Sequence, residues 1–156
     1  MTAAEFRQKY AGRKAPAKKS TKNLVHDLDD WFSRRVRLEE CDSSFMARCV
    51  DCGQPVDVRR ADCGHYHSRK YNATRWERKN CAVQMKWHNN MMGDPVVNDG
   101  FRNELIRRHG QREFEMLAVR KNNFFKLDSG VLSIMIEENR QIVERLLKEK
   151  NLKKWW

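Results

Sequence analysis

The sequence predicts an α+β fold: a small core of short strands bearing a zinc knuckle, with one helix before it and helices after it. Three observations predict this. Apolar residues recur at helical spacing in two stretches, 21–39 and 129–147, near opposite ends of the 156-residue chain. Between them, residues 45–67 break into short apolar runs separated by turn residues, too brief for helices. A Cys-x-x-Cys pair, CVDC at 49–52, lies inside that stretch. The length suits one domain with decorated ends. We divide it into a basic arm over 1–20, a core with flanking helices over 21–118, and a linker with a final helix over 119–156.

The arm carries Arg7, Lys9, Arg13, Lys14, Lys18 and Lys19 against the single acid Glu5, and Gly12 and Pro16 interrupt any helix. It reads equally as a phosphate-tracking tail and as a solubilising one. The first helix, 21–39, has Thr21 as its N-cap and an apolar stripe of Leu24, Leu28, Trp31, Phe32 and Val36. Strands and turns follow to residue 67. Gly53, after the second cysteine, supplies a positive-φ turn at the knuckle. Val56 to Tyr66 forms a hairpin arm that presents His65. Residues 68–79 make a basic connection. A helical turn at 88–93 stops at Gly93, with Pro95 beyond it. Asn98 or Asp99 caps the next helix, which Gly110 ends, and a further turn or two covers 113–118. Asp128 or Ser129 caps the last helix, with Val131, Ile134, Met135, Ile142, Val143, Leu146 and Leu147 on its stripe. Trp155 and Trp156 pack on the body of the protein in preference to stacking on bases.

Composition narrows the function. Thirty-two Lys and Arg against twenty-one Asp and Glu give a net charge of +11, which favours a polyanionic partner, most simply nucleic acid. The first twenty residues lack the apolar segment of a secretory signal. No apolar run approaches the ~20 residues of a membrane span. Five cysteines, an odd number, are then expected to be reduced in the cytoplasm, where a close pair reads as a metal site before a disulfide.

The chemistry concentrates between residues 49 and 90. Cys49 and Cys52 place two thiolates on one tight turn, within reach of one tetrahedral zinc ion. A second knuckle would complete the site, and its positions hold Met85 and His88. Imidazole ligates zinc. An uncharged thioether does so poorly, so the fourth donor falls to Cys81, Cys63 or water. Further along, DCGHYHSR at 62–69, Asn80 and the HNN run at 88–90 follow in order. Phosphodiester hydrolysis needs a base for water, a divalent cation on the phosphate and cationic side chains for the backbone. His65 is the candidate base, with His67 as a rival if the strand continues past His65. Asp62 and Asn89 are candidate oxygen ligands for Mg2+ (or Mn2+). Asn80 is placed to hold the histidine-bearing loop. Arg69, Lys70, Arg75, Arg78 and Lys79 are candidate DNA contacts. The order of these motifs, more than any one residue, points to a nuclease.

The segment DCGHYHSRKYNATRWERKNCAVQ and the asparagine pair after it resemble the phage NinG (Rap) recombination proteins, most strongly over 49–93. That resemblance implies an HNH-like ββα, treble-clef core. It implies a structure-selective endonuclease that cuts branched DNA such as Holliday junctions in the host cytoplasm. His65, Asn80 and Asn89 take the pattern's first, middle and last positions. Two departures stand out. Gly64 occupies the place of an acidic ligand beside the histidine, leaving Asp62 for that role. Met85 and His88 replace two cysteines. Junction resolution takes two symmetric cuts, so a homodimer and phage recombination proteins are the expected protein partners, with no membrane association. The competing expectations are a non-catalytic DNA-binding accessory protein with the same knuckle, and an RNA-associated zinc-knuckle protein.

Overall fold

The computed structural model describes residues 19–156, so nearly all of the expected basic arm lies outside the described residues. Helix α1 spans Thr21–Glu40, and its cap is Ser20, whose side chain accepts from the Asn23 amide. The cap therefore falls one residue before the Thr21 expected. Strands β1 (Met46–Arg48) and β2 (Pro55–Asp57) form an antiparallel hairpin whose turn is the knuckle. Gly53 turns there with φ +70°, and its amide donates to the Cys49 carbonyl.

Strand β3 is Asp62–His65 and strand β4 is Cys81–Gln84. They pair antiparallel with His65 opposite Cys81 and Gly64 opposite Ala82. This corrects the expected hairpin arm over 56–66: β2 and β3 belong to different two-stranded sheets. The partner of β3 lies across the 66–80 connection, which contains helix α2 (Asn72–Arg75) and a 3₁₀ turn at Arg78–Asn80. Strand β4 leads directly into α3 (Lys86–Asn90).

Helix α4 runs from Pro95 to His109. Pro95 occupies its first turn, where a missing amide costs nothing, and Asp94 is the cap, accepting from Val96 and Val97. Proline thus starts this helix, where the sequence reading had it as a stop for the previous one. Gly110, at φ +86°, separates α4 from α5 (Gln111–Arg120). Asp128 caps α6 (Ser129–Glu149), as expected for one of its two candidates.

All four residues of β4 are buried, because helices cover both faces of the β3–β4 hairpin. On one face Phe32 and Val36 of α1 pack on Cys81, while Val143 and Leu147 of α6 join Leu38, Val58 and Val83. On the other, Phe101 and Leu105 of α4 and Leu117 of α5 close over Ala82 and Val50. Helix α6 lies along α1, and Lys150 donates to the Leu38 carbonyl at 2.6 Å and to the Cys41 carbonyl, satisfying the open end of α1. Trp155 stacks edge-on against Phe45, and Trp156 against Trp31, so both pack on the protein. Among the described residues, no helix is long and apolar enough to cross a membrane.

Candidate functional site

Two adjoining cavities open beside β3. One, of about 440 Å³, is bordered by Cys63, His65, Tyr66, Arg69 and Asn89 among others. The smaller, of about 180 Å³, shares Cys63, His65, Arg69 and Asn89 and adds Asp62 and Asp29. β3 has a ladder partner on one side only, so residues of both its faces border the same space. The β4–α3 connection brings Asn89 alongside, and its Nδ2 donates to Asp62 Oδ2 at 2.9 Å.

The His65 ring lies between two carbonyls. Nε2 is 2.8 Å from the Arg75 oxygen and Nδ1 is 3.2 Å from the Cys63 oxygen. A neutral imidazole has one N–H. The shorter contact assigns it to Nε2, which leaves the Nδ1 lone pair as acceptor. Burial pushes the His65 pKa below its ordinary value; the Arg75 carbonyl opposes this, and the Arg69 charge adds to it. Burial thus favours the neutral ring, the form a base requires.

Asn80 is fully buried. Its Oδ1 accepts from the His67 amide at 2.8 Å, and its Nδ2 donates to the His67 and Thr74 carbonyls at 2.9 and 3.0 Å. The Tyr66 amide donates to the Asn80 carbonyl. One side chain thus closes the 67–74 loop and seats the carbonyl of Arg75 against His65.

The structure separates His67 from this group. β3 ends at His65, so strand alternation does not carry to His67, and its ring borders neither cavity. Its Nε2 is buried without a partner. Burial, with the nearby Lys121 charge, pushes its pKa down to about 4.

Of the five expected DNA contacts, two are taken up inside the protein. Arg75 forms a bidentate pair with Asp29 at 2.9 and 2.5 Å, and the Trp76 indole donates to the same carboxylate. Arg78 bridges Glu39 and Glu40 at 2.5 and 2.9 Å, and Arg108 joins it on Glu40. Both arginines lock α1 to the histidine-bearing connection. Arg69 and Lys70 are exposed, with Arg69 on the rim of both cavities. Lys79 is exposed and paired with Glu113 at 3.1 Å.

The knuckle is a distinct group. The ligand atoms of Cys49, Cys52 and His88 all lie within 4.8 Å of one another. Cys49 Sγ is 3.2 Å from His88 Nδ1. Met85 contributes its backbone amide, which faces Cys49 Sγ at 3.4 Å. Cys81 is not the fourth member: it sits directly across the ladder from His65 and groups with Cys63 and His65. Cys63, its alternative, is excluded for the same reason.

The residue beside the knuckle is Asp51. Its Oδ2 is 3.5 Å from His88 Nδ1 and 3.6 Å from Cys49 Sγ, while Gln84 Nε2 donates to it at 2.9 Å. Its Oδ1 is buried with no partner. Burial pushes the Asp51 and Cys49 pKa values up, a direction that a divalent cation between them reverses. Cys49, Cys52 and His88 could therefore hold a structural metal ion such as zinc, with Asp51 as the nearest oxygen donor. Sequence reading passed over Asp51. An acid between the two cysteines was a signal, but its burial was not, since that comes from α4. A Cβ on Gly100 would overlap the Asp51 carbonyl, so α4 lies directly against the knuckle.

No curated protein and no solved structure matches this chain. A family model, that of the bacteriophage lambda NinG protein, matches residues 2–153. With a family model spanning nearly its whole length, the chain belongs to the bacteriophage lambda NinG family.

Proposed function

We propose that the protein is a metal-dependent, structure-selective DNA endonuclease of phage recombination, hydrolysing phosphodiesters in branched DNA such as Holliday junctions. The observation that carries the reading is the convergence of His65, Asp62 and Asn89 on shared cavity walls, with Asn80 fixing the loop behind them. The order β3–β4–α3 supports an HNH-like ββα core, and the knuckle on the β1–β2 hairpin supports its treble-clef description.

In this reading His65 takes a proton from water on Nδ1. The imidazolium so formed can donate from both nitrogens, to Cys63 and Arg75, so the two carbonyls stabilise the charge the reaction creates. Asp62 and Asn89 offer hard oxygen donors joined by one hydrogen bond, a set that suits Mg2+ or Mn2+. Such a cation, when bound, would stabilise negative charge on the phosphate and leaving oxygen. Arg69 and Lys70 hold the backbone, and branch selectivity arises from shape and charge, without base readout.

The test is cleavage of a four-way junction with magnesium. We expect wild type to nick it and His65→Ala to lose on the order of 10²–10⁴-fold in rate while still binding the junction. Equal cleavage by the two proteins would remove His65 from the mechanism. The alternative, a DNA-binding accessory protein that does not cut, draws on one observation: both ring nitrogens of His65 already face carbonyls. Binding without cleavage under either Mg2+ or Mn2+ would establish it.

A further inference from the structure

We propose that Cys63, Cys81 and His65 form a second metal site, selective for a thiophilic divalent ion such as zinc or cadmium and separate from the knuckle. The ladder dictates the grouping. His65 and Cys81 are direct cross-strand partners, and Cys63 is two residues from His65 on the same face. Their ligand atoms all lie within 4.8 Å of one another. A tetrahedral ion with sulfur at ~2.3 Å needs donors about 3.8 Å apart, a distance that small side-chain rotations reach.

Charge and tautomer both fit. Two thiols lose their protons on binding, and the two thiolates neutralise one divalent ion. That neutrality suits a site walled by Phe32, Val36 and Trp76. The Cys81 thiol and His65 Nε2 face the same Arg75 carbonyl, at 3.9 and 2.8 Å. Nε2 is therefore the nitrogen on the side of the Cys81 sulfur. When it ligates, the ring proton moves to Nδ1, where the Cys63 carbonyl waits at 3.2 Å. Ligating histidines commonly donate their other N–H to just such a carbonyl. Cys63 borders both cavities, which gives the ion its entry.

One consequence rests on the nuclease reading. Nδ1 is the proton acceptor in that mechanism, and an ion on Nε2 leaves it already protonated. A thiophilic ion at this site inhibits cleavage, while magnesium, which prefers oxygen, does not compete for the sulfurs.

The test is cadmium titration of the reduced, purified full chain, read by thiolate charge-transfer absorbance and native mass spectrometry. We expect two bound ions in wild type and one in Cys63→Ala, and alkylation at Cys63 to be blocked only once the second ion binds. The alkylation readout uses wild type alone, so it decides the matter even if the variant misfolds. One ion in wild type, or Cys63 alkylated at the same rate with and without cadmium, overturns the site. A Cys63–Cys81 disulfide with no second ion also overturns it. In the junction assay, a second equivalent of cadmium is expected to reduce wild-type cleavage on the order of 10²-fold, with activity returning when a dithiol strips the cadmium and magnesium is left in place; cleavage unmoved by the second ion would overturn the inhibition. Two ions bound by a protein that never cuts would uphold the metal site and remove only the nuclease reading.

Discussion

Gly64 shows why no acid stands directly before His65: the reason is packing. A Cβ there would overlap the Gln84 side chain, which is itself fully buried across the ladder. No acidic side chain fits at 64, and the nearest carboxylate on β3 is Asp62, already bonded to Asn89. Gly64→Ala is expected to cost about 1–3 kcal/mol by overpacking, read by denaturant unfolding. An unchanged midpoint would show that Gln84 can swing clear. Order and spacing alone single out His65, Asn80 and Asn89 in the chain, and the structure places His65 and Asn89 on one cavity wall with Asn80 bonded into the loop behind. The roles of Arg75 and Arg78 were not legible in the sequence. Their carboxylate partners, Asp29, Glu39 and Glu40, lie about 40 residues earlier, and nothing local distinguishes a paired arginine from a free one.

The helices were the most readable parts. The stripes of α1 and α6 carry enough periodic apolar residues to fix their type, and both helices occur where expected, but at the start of α6 the buried residue is Leu132, and Val131 and Ile134 of the expected stripe face outward. The hairpin was misassigned because β2 and β3 are short and consecutive, whereas β3 pairs with β4 across a connection that contains its own helical turns. Proline misled at α4 because it can follow one helix or begin another; Asp94 is the cap, and Asn98 and Asp99, the caps expected, lie inside the helix. Helix α4 also makes a pH prediction. Arg107, then Arg108, hold Glu104 down to about 2. Its folded pKa is below the ordinary carboxylate value, so its contribution to stability is full above about pH 4.3 and is lost as pH falls toward 2. Glu104 is about one-quarter exposed, so solvent screening limits the effect to about 1 kcal/mol. Glu104→Gln is expected to flatten the acid limb of the unfolding curve between those values. An identical limb in both proteins would discount the pair.

At the scale of the whole molecule, the described helices pack on both faces of the β3–β4 hairpin, and the chain carries a net charge of +11. DNA affinity is expected to fall steeply as salt rises, linearly in log–log form; affinity indifferent to salt would contradict a phosphate-dominated interface. Metal should matter at this scale too. If the knuckle holds zinc, chelation lowers the melting temperature, since a ligand bound only by the folded state stabilises it by mass action. Asp51→Asn should lessen that drop by weakening metal affinity. A melting temperature unmoved by a strong chelator would remove the structural ion.

The clasp of Lys150 on the far end of α1 reaches the pocket at a distance. Phe32 of α1 forms part of the smaller cavity's wall, and α1 is held in place by α6 and by Lys150. Removing that one ammonium, as in Lys150→Met, is expected to speed amide exchange along α1 and so to loosen the wall behind His65 without touching any residue of the pocket itself.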